Sequence, residues 1–256
     1  MEKEKTITNK LFDKNPVDMA FFLQKINGGK LEHYMQFFLF KWITEGKIRV
    51  IALENDLLIK KRHTTVFFLE NGMYEGETIE NLLWNILLEN TDEENKITDQ
   101  QMKNLVKTNA MFFIPLGNKL TMDSQDYLIK NGYLNEKEQS LFHFKWKKSQ
   151  TNTAQGNQLY DQLLKQFRYL EEAIGHNLRT QKEIDFSEEY LSWISLFGLA
   201  DKFNKQIYKI STQQPSEVKQ ISRLIGSYTN LAAFIDAFSI GFSYVKNSVG
   251  PKKSCC

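Results

Sequence analysis

Apolar positions recur along this chain in two rhythms, one of three-and-four steps and one of alternation, and the switches between them outline its elements. In "NPVDMAFFLQKINGG", residues 15–29, Asn15 can cap and Pro16 suits a first helical turn. Gly28 and Gly29 can end that helix. "KLEHYMQFFLFKWITEGK" predicts a second helix that stops near Gly46. "KIRVIAL" and "DLLIKKR" are β-rich runs on either side of "END", a hairpin signal, and "TTVFFLE" is a candidate third strand. Helix, helix and hairpin, residues 15–76, outline a winged-helix-like unit.

A looser version of the outline follows over residues 77–148. "ETIENLLWNILLE" and "TDQQMKNLVKT" predict helices, with Thr98 as a cap for the second. "NKLTMDSQDYLIKNGYL", after Pro115, predicts another helix up to Gly132. "SLFHFKWKK" alternates and predicts one strand. "SQTNTAQGN", residues 149–157, has no apolar anchor and is expected to be a linker.

Beyond it the pattern is helical. Tyr160, Leu163, Phe167, Leu170 and Ile174 form one stripe, which "GHN" at 175–177 interrupts. Residues 188–210 predict a continuous helix with apolar positions on more than one side, capped at Asp185 with Glu188 closing the box. Gly198 falls in the middle of that helix, where glycine costs about 1 kcal/mol relative to alanine. Close approach of a second backbone is the expected compensation, with Phe197, Phe167 and Tyr169 packing around it. A last helix is expected from about Pro215, with Ile221, Leu224, Tyr228, Ile235, Phe238, Phe242 and Val245 on one face. The fold class expected is mainly α (α+β): two winged-helix-like units with small β-hairpins, then a C-terminal helical bundle over 158–247. A loose leader, residues 1–14, and a disordered tail, residues 248–256, flank it.

Composition narrows the function classes. The 256 residues are 41% hydrophobic and 25% charged, a globular balance. Residues 1–150 balance 21 basic against 21 acidic groups, and residues 151–256 carry 12 against 10. A strongly basic body made for nucleic acid is therefore absent. The only cysteines, Cys255 and Cys256, offer no disulfide framework, which fits a reducing, cytoplasmic setting. The opening "MEKEKTITNKLF" lacks the apolar core of a secretory signal, and no apolar run of 18 residues exists.

Signals for chemistry are sparse. The histidines, His33, His63, His143 and His176, stand far apart in sequence without metal-ligand spacing. No nucleotide-binding glycine motif and no nucleophile elbow occurs. No cofactor, metal site or catalytic residue is expected. Two binding readings remain. In the first, the chain is a non-enzymatic protein-interaction or scaffold domain, with a protein partner or self-association, contacted through Tyr228, Phe234, Phe238 and Phe242. In the second, a winged-helix DNA-binding regulator, Lys47, Lys60, Lys61 and Arg62 contact phosphates.

Three stretches carry a family resemblance. "NPVDMAFFLQKINGGKLEHYMQFFLFKWITEGKIRVI" is similar to the helix, helix and strand that open the cytosolic part of the YciQ-like predicted bacterial membrane proteins. "LYDQLLKQFRYLEE", with Phe167, Tyr169 and Leu170, resembles a later helix of that family. "YLSWISLFGLADKFNK", with Gly198, Leu199 and Lys202, resembles another. The resemblance implies a cytoplasmic domain near the inner face of a membrane, with no assigned catalytic residues.

Overall fold

The computed structural model describes residues 15–57, 60–141, 144–177, 188–203 and 205–206. The leader, the expected Asp185 cap, the helix expected from Pro215 and the tail lie outside these residues. Within them the chain is mainly helical, with small antiparallel β-hairpins.

The first two helices follow the sequence closely. Asn15 accepts a hydrogen bond from the Val17 N–H and opens a 3₁₀ turn, Pro16–Met19, which runs into α1, Ala20–Ile26. Helix α2, Leu31–Thr44, buries Leu31, Tyr34, Met35, Phe38, Leu39 and Trp42. It ends before Gly46, whose φ of 77° reverses the chain into the sheet.

Strand β1, Ile48–Leu57, pairs antiparallel with β2, Lys60–Leu69. The expected turn at "END" is not there. Glu54, Asn55 and Asp56 are strand residues, and the reversal falls between Leu57 and Lys60. The ladder runs on past them, with Glu54 opposite His63, Asp56 opposite Lys61 and Leu57 opposite Lys60 in register. "TTVFFLE" is the end of β2 rather than a third strand. The third strand is β3, Lys96–Thr98, antiparallel to β2. Before it comes α3, Ile79–Leu88, N-capped by Thr78. After it comes α4, Asp99–Thr108, closed by the Thr98–Gln101 capping box.

Helix α5, Ala110–Lys130, begins well before the expected start and carries Pro115 inside it. Proline there removes one donor to the Met111 carbonyl, but Pro115 and Met111 are both exposed, so water can take the bond. Strands β4, Leu134–Leu141, and β5, Phe144–Asn152, form a two-stranded sheet. "SLFHFKWKK" is therefore not one strand but straddles the two.

The expected linker is structured too. Residues 149–152 end β5, Thr153 caps with its hydroxyl on the Gly156 N–H, and α6 runs Ala154–Glu172. Gly156 lies so close to the Tyr133 carbonyl that a Cβ would overlap it. A π-helical turn, Ala173–Asn177, follows α6 and contains the "GHN" break. Helix α7, Glu188–Leu196, packs along α2.

One hydrophobic core joins these elements. It runs from Met19 and Phe22 in the first segment, through Trp42, Phe67, Trp84, Phe113 and Leu120, to Leu163, Leu170, Ile194, Phe197 and Phe203. Leu163, Leu170, Ile194, Phe197 and Phe203 thus share one core with the N-terminal helices.

Candidate interaction surfaces

The helix expected to run unbroken through Gly198 ends at Leu196. Gly198 has a φ of 66°; its N–H bonds the Ser195 carbonyl at 2.8 Å and the Leu199 N–H bonds the Ile194 carbonyl at 2.9 Å. That pair of bonds is a Schellman ending, which needs a left-handed residue and so selects glycine. The glycine's place is a helix end, and its cost is conformational rather than that of a helix interior.

This ending meets the α1–α2 turn. The Gly29 N–H donates to the Leu196 carbonyl at 3.0 Å, and Asn27 Nδ2 donates to the Phe197 carbonyl at 2.7 Å. A Cβ on Gly28 would overlap that same Leu196 carbonyl oxygen. A Cβ on Gly198 would lie 2.7 Å from the His33 ring and 3.2 Å from the Asn27 carbonyl. Main chain therefore meets main chain here, and the carbonyls left over at the end of α7 find donors in the turn. Phe197 is fully buried, and its ring lies 5.8 Å from Phe167 and 5.6 Å from Trp193. Tyr169 departs from expectation. It is 52% exposed, one position from buried Leu170, on the outer side of α6.

A second cluster ties α2 to α3. Lys41 Nζ reaches both Glu80 carboxylate oxygens at 2.8 Å, and Trp42 Nε1 donates to Glu80 Oε1 at 3.1 Å. Trp42 and Trp84 pack edge to face at 5.0 Å. Lys47, a candidate phosphate contact, is engaged nearby. Its ammonium pairs with Glu45 at 2.7 Å and sits 5.2 Å over the Tyr74 ring. The hydrogen bonds it donates to Glu45 first and Tyr74 second hold its proton more firmly than usual. Lys60, Lys61 and Arg62 begin β2, in register with Leu57, Asp56 and Asn55 of β1. Their side chains lie outside the described ones. The candidate partner contacts Tyr228, Phe234, Phe238 and Phe242 lie outside the described residues.

A surface that sequence reasoning missed lies on α5. Met111 is 86% exposed, Met122 60% and Ile114 36%, and Pro115 is exposed between them. The steps 111, 114, 115, 118, 122 keep one side of a helix, so the row is continuous, broken only by Asn118. The opposite side of α5 buries Phe113, Leu116, Leu120, Ser124 and Leu128. Ser124 anchors it, donating to the Asp18 carbonyl at 2.8 Å and accepting from the Phe21 N–H at 3.0 Å.

Among the described residues no group of three or more His, Cys, Asp or Glu is placed to hold a metal ion. Nor is any helix there long and apolar enough to cross a membrane. The chain matches none of the known family models, curated proteins or solved structures with which it was compared.

Proposed function

We propose that this chain is a non-enzymatic interaction module that joins a second copy of itself through the exposed row of α5. The carrying observation is the run of Met111, Ile114, Pro115 and Met122 on solvent. Single exposed apolar side chains are ordinary, but an aligned row of large ones marks an interface. Methionine suits the task because its unbranched thioether repacks against whatever it meets.

The row is self-complementary. Two α5 helices paired antiparallel about a point between Leu116 and Gly117 bring Met111 of each copy onto Met122 of the other, about 16 Å from the reciprocal contact. Such a pairing is small, so the association expected is reversible. The resemblance to the YciQ-like family supports a cytoplasmic module near a membrane, which cell fractionation tests.

Sedimentation velocity tests the association. The wild-type chain is expected to pass from monomer to dimer as concentration rises toward about 1 mM, where even a binding free energy of about −4 kcal/mol suffices. The M111K/M122K variant is expected to stay monomeric with an unchanged circular dichroism spectrum. A wild-type monomer throughout that range, or a variant that dimerises equally, overturns the proposal.

A further inference from the structure

Asparagine followed by glycine occurs three times in the chain, at Asn27–Gly28, Asn71–Gly72 and Asn131–Gly132. The pair has a chemistry of its own. With no Cβ to shield it, the glycine nitrogen can reach the preceding side-chain amide and close a five-membered ring. The fold treats the three pairs differently. Gly28 is buried, its N–H donates to the Leu23 carbonyl at 2.9 Å, and Asn27 Nδ2 is held by the Phe197 carbonyl. The Gly132 N–H donates to the Ile129 carbonyl at 3.0 Å, and Asn131 Nδ2 donates to the Tyr127 carbonyl at 2.8 Å. Gly72 is exposed, and its N–H meets no acceptor among the described residues.

The Asn71 side chain is placed for attack as well. Its Oδ1 accepts a hydrogen bond from Asn95 Nδ2 at 2.7 Å. Asn95 is itself fixed in a turn, with a left-handed φ of 54° and its N–H on the Asp92 carbonyl at 3.0 Å. Its carbonyl accepts from the Leu69 N–H at 3.0 Å, at the end of β2. A donor is thus held against the oxygen on which charge gathers when the amide carbon is attacked. Gly72 has a φ of 133°, and a Cβ there would meet nothing within 4 Å, so the approach is open. The Gly72 carbonyl accepts from the Nε1 of buried Trp84 at 2.8 Å.

We propose that Asn71–Gly72 is a self-modifying site, at which the asparagine is converted to aspartate and isoaspartate. Base removes the Gly72 amide proton, and the nitrogen forms a bond to Asn71 Cγ while Asn95 Nδ2 steadies the charge on Oδ1. The Cγ–Nδ2 bond then breaks, and Nδ2 takes a proton from solvent and leaves as ammonia. Water opens the cyclic imide at one of its two carbonyls. One opening leaves aspartate; the other leaves isoaspartate, whose main chain runs through Cβ and Cγ. Water enters, ammonia departs, and nothing is oxidised or reduced. Either product adds a negative charge beside Glu70. Isoaspartate also lengthens the main chain by a carbon just before the carbonyl that Trp84 holds, and so loosens the Trp42–Trp84 pair between α2 and α3.

Peptide mapping of the full chain after days at mildly alkaline pH tests this, with all three pairs read in one digest by chromatography and mass spectrometry. Position 71 is expected to convert first, and positions 27 and 131 at least about fivefold more slowly, the worth of one engaged N–H. In concentrated guanidinium chloride the three are expected to convert alike, since only the fold distinguishes them. Asn95→Gly keeps the left-handed turn and removes the donor. It is expected to slow position 71 about fivefold in the folded chain and to leave position 131 unaffected. Converted chain, separated by ion exchange, is expected to melt at a lower temperature than the unconverted chain. Equal rates at the three positions in the folded chain, a rate at position 71 unchanged by Asn95→Gly, or converted chain that melts like the unconverted overturns the proposal.

Discussion

The apolar sides of α7 and of α5 are built from similar residues and meet opposite fates. On α7, Trp193, Ile194 and Leu196, with Phe197 just beyond, are almost wholly covered. On the outer side of α5, Met111, Ile114 and Met122 face water. What differs lies across from each helix. The end of α7 meets a turn whose glycines present bare backbone, so side chains and main chain close together. The inner side of α5 already covers the core, and its outer row is surplus to folding. A helical stripe tells how many apolar positions exist, not whether the same chain covers them.

The sharpest way to break the closed side is at Gly28. Alanine there drives a methyl into the Leu196 carbonyl, which belongs to backbone and cannot swing aside. A loss of about 3 kcal/mol of unfolding free energy is expected in denaturant melts. Gly198→Ala comes next. It combines a left-handed φ of 66° with a contact to the His33 ring, a side chain that can shift, and about 1–2 kcal/mol is expected.

Tyr34→Phe probes the same packed side through pH. The Tyr34 hydroxyl is buried and donates to the Pro16 carbonyl, so its loss costs about 1 kcal/mol near neutrality. Burial first, and the negative charge of Asp18 second, push its pKa well above the usual value. The folded chain therefore keeps this proton at a pH where the unfolded chain releases it. Stability from this group is full below about pH 10, the unfolded value, and declines as pH climbs beyond it. The advantage of wild type over Tyr34→Phe is expected to shrink by about 1.4 kcal/mol per unit above pH 10. A gap that stays constant between pH 8 and 11 contradicts this. On the open side the smallest effect is expected: M111K/M122K moves monomer stability by less than about 0.5 kcal/mol.

Much of the fold was legible because local signals agreed with packing. Asn15 and Thr98 cap where helices begin, and α2 stops before Gly46 as its sequence suggests. The misreadings have physical causes. "END" holds turn-forming residues, but the antiparallel ladder continues through them to Leu57↔Lys60, so strand pairing overrides the local turn preference. Residues 149–157 are polar because a strand end and the first turn of α6 both face solvent. The Thr153 cap was the available clue. The α5 row was invisible while Pro115 was read as a boundary, since Met111 and Ile114 join Met122 only if the helix runs through the proline. Gly198 was recognised as a point of close approach, yet its left-handed turn cannot be read from helical periodicity alone.

Methionine oxidation tests the contrast between closed and open faces in one measurement. Mild peroxide treatment across a dilution series, read residue by residue by mass spectrometry, is expected to oxidise Met111 and Met122 quickly in dilute protein. Buried Met19, Met35 and Met102 are expected to stay reduced. Concentration is expected to protect Met111 and Met122 together and to leave exposed Met73 reactive. Protection of Met111 and Met122 at every dilution, or their equal reactivity at every concentration, would contradict the account.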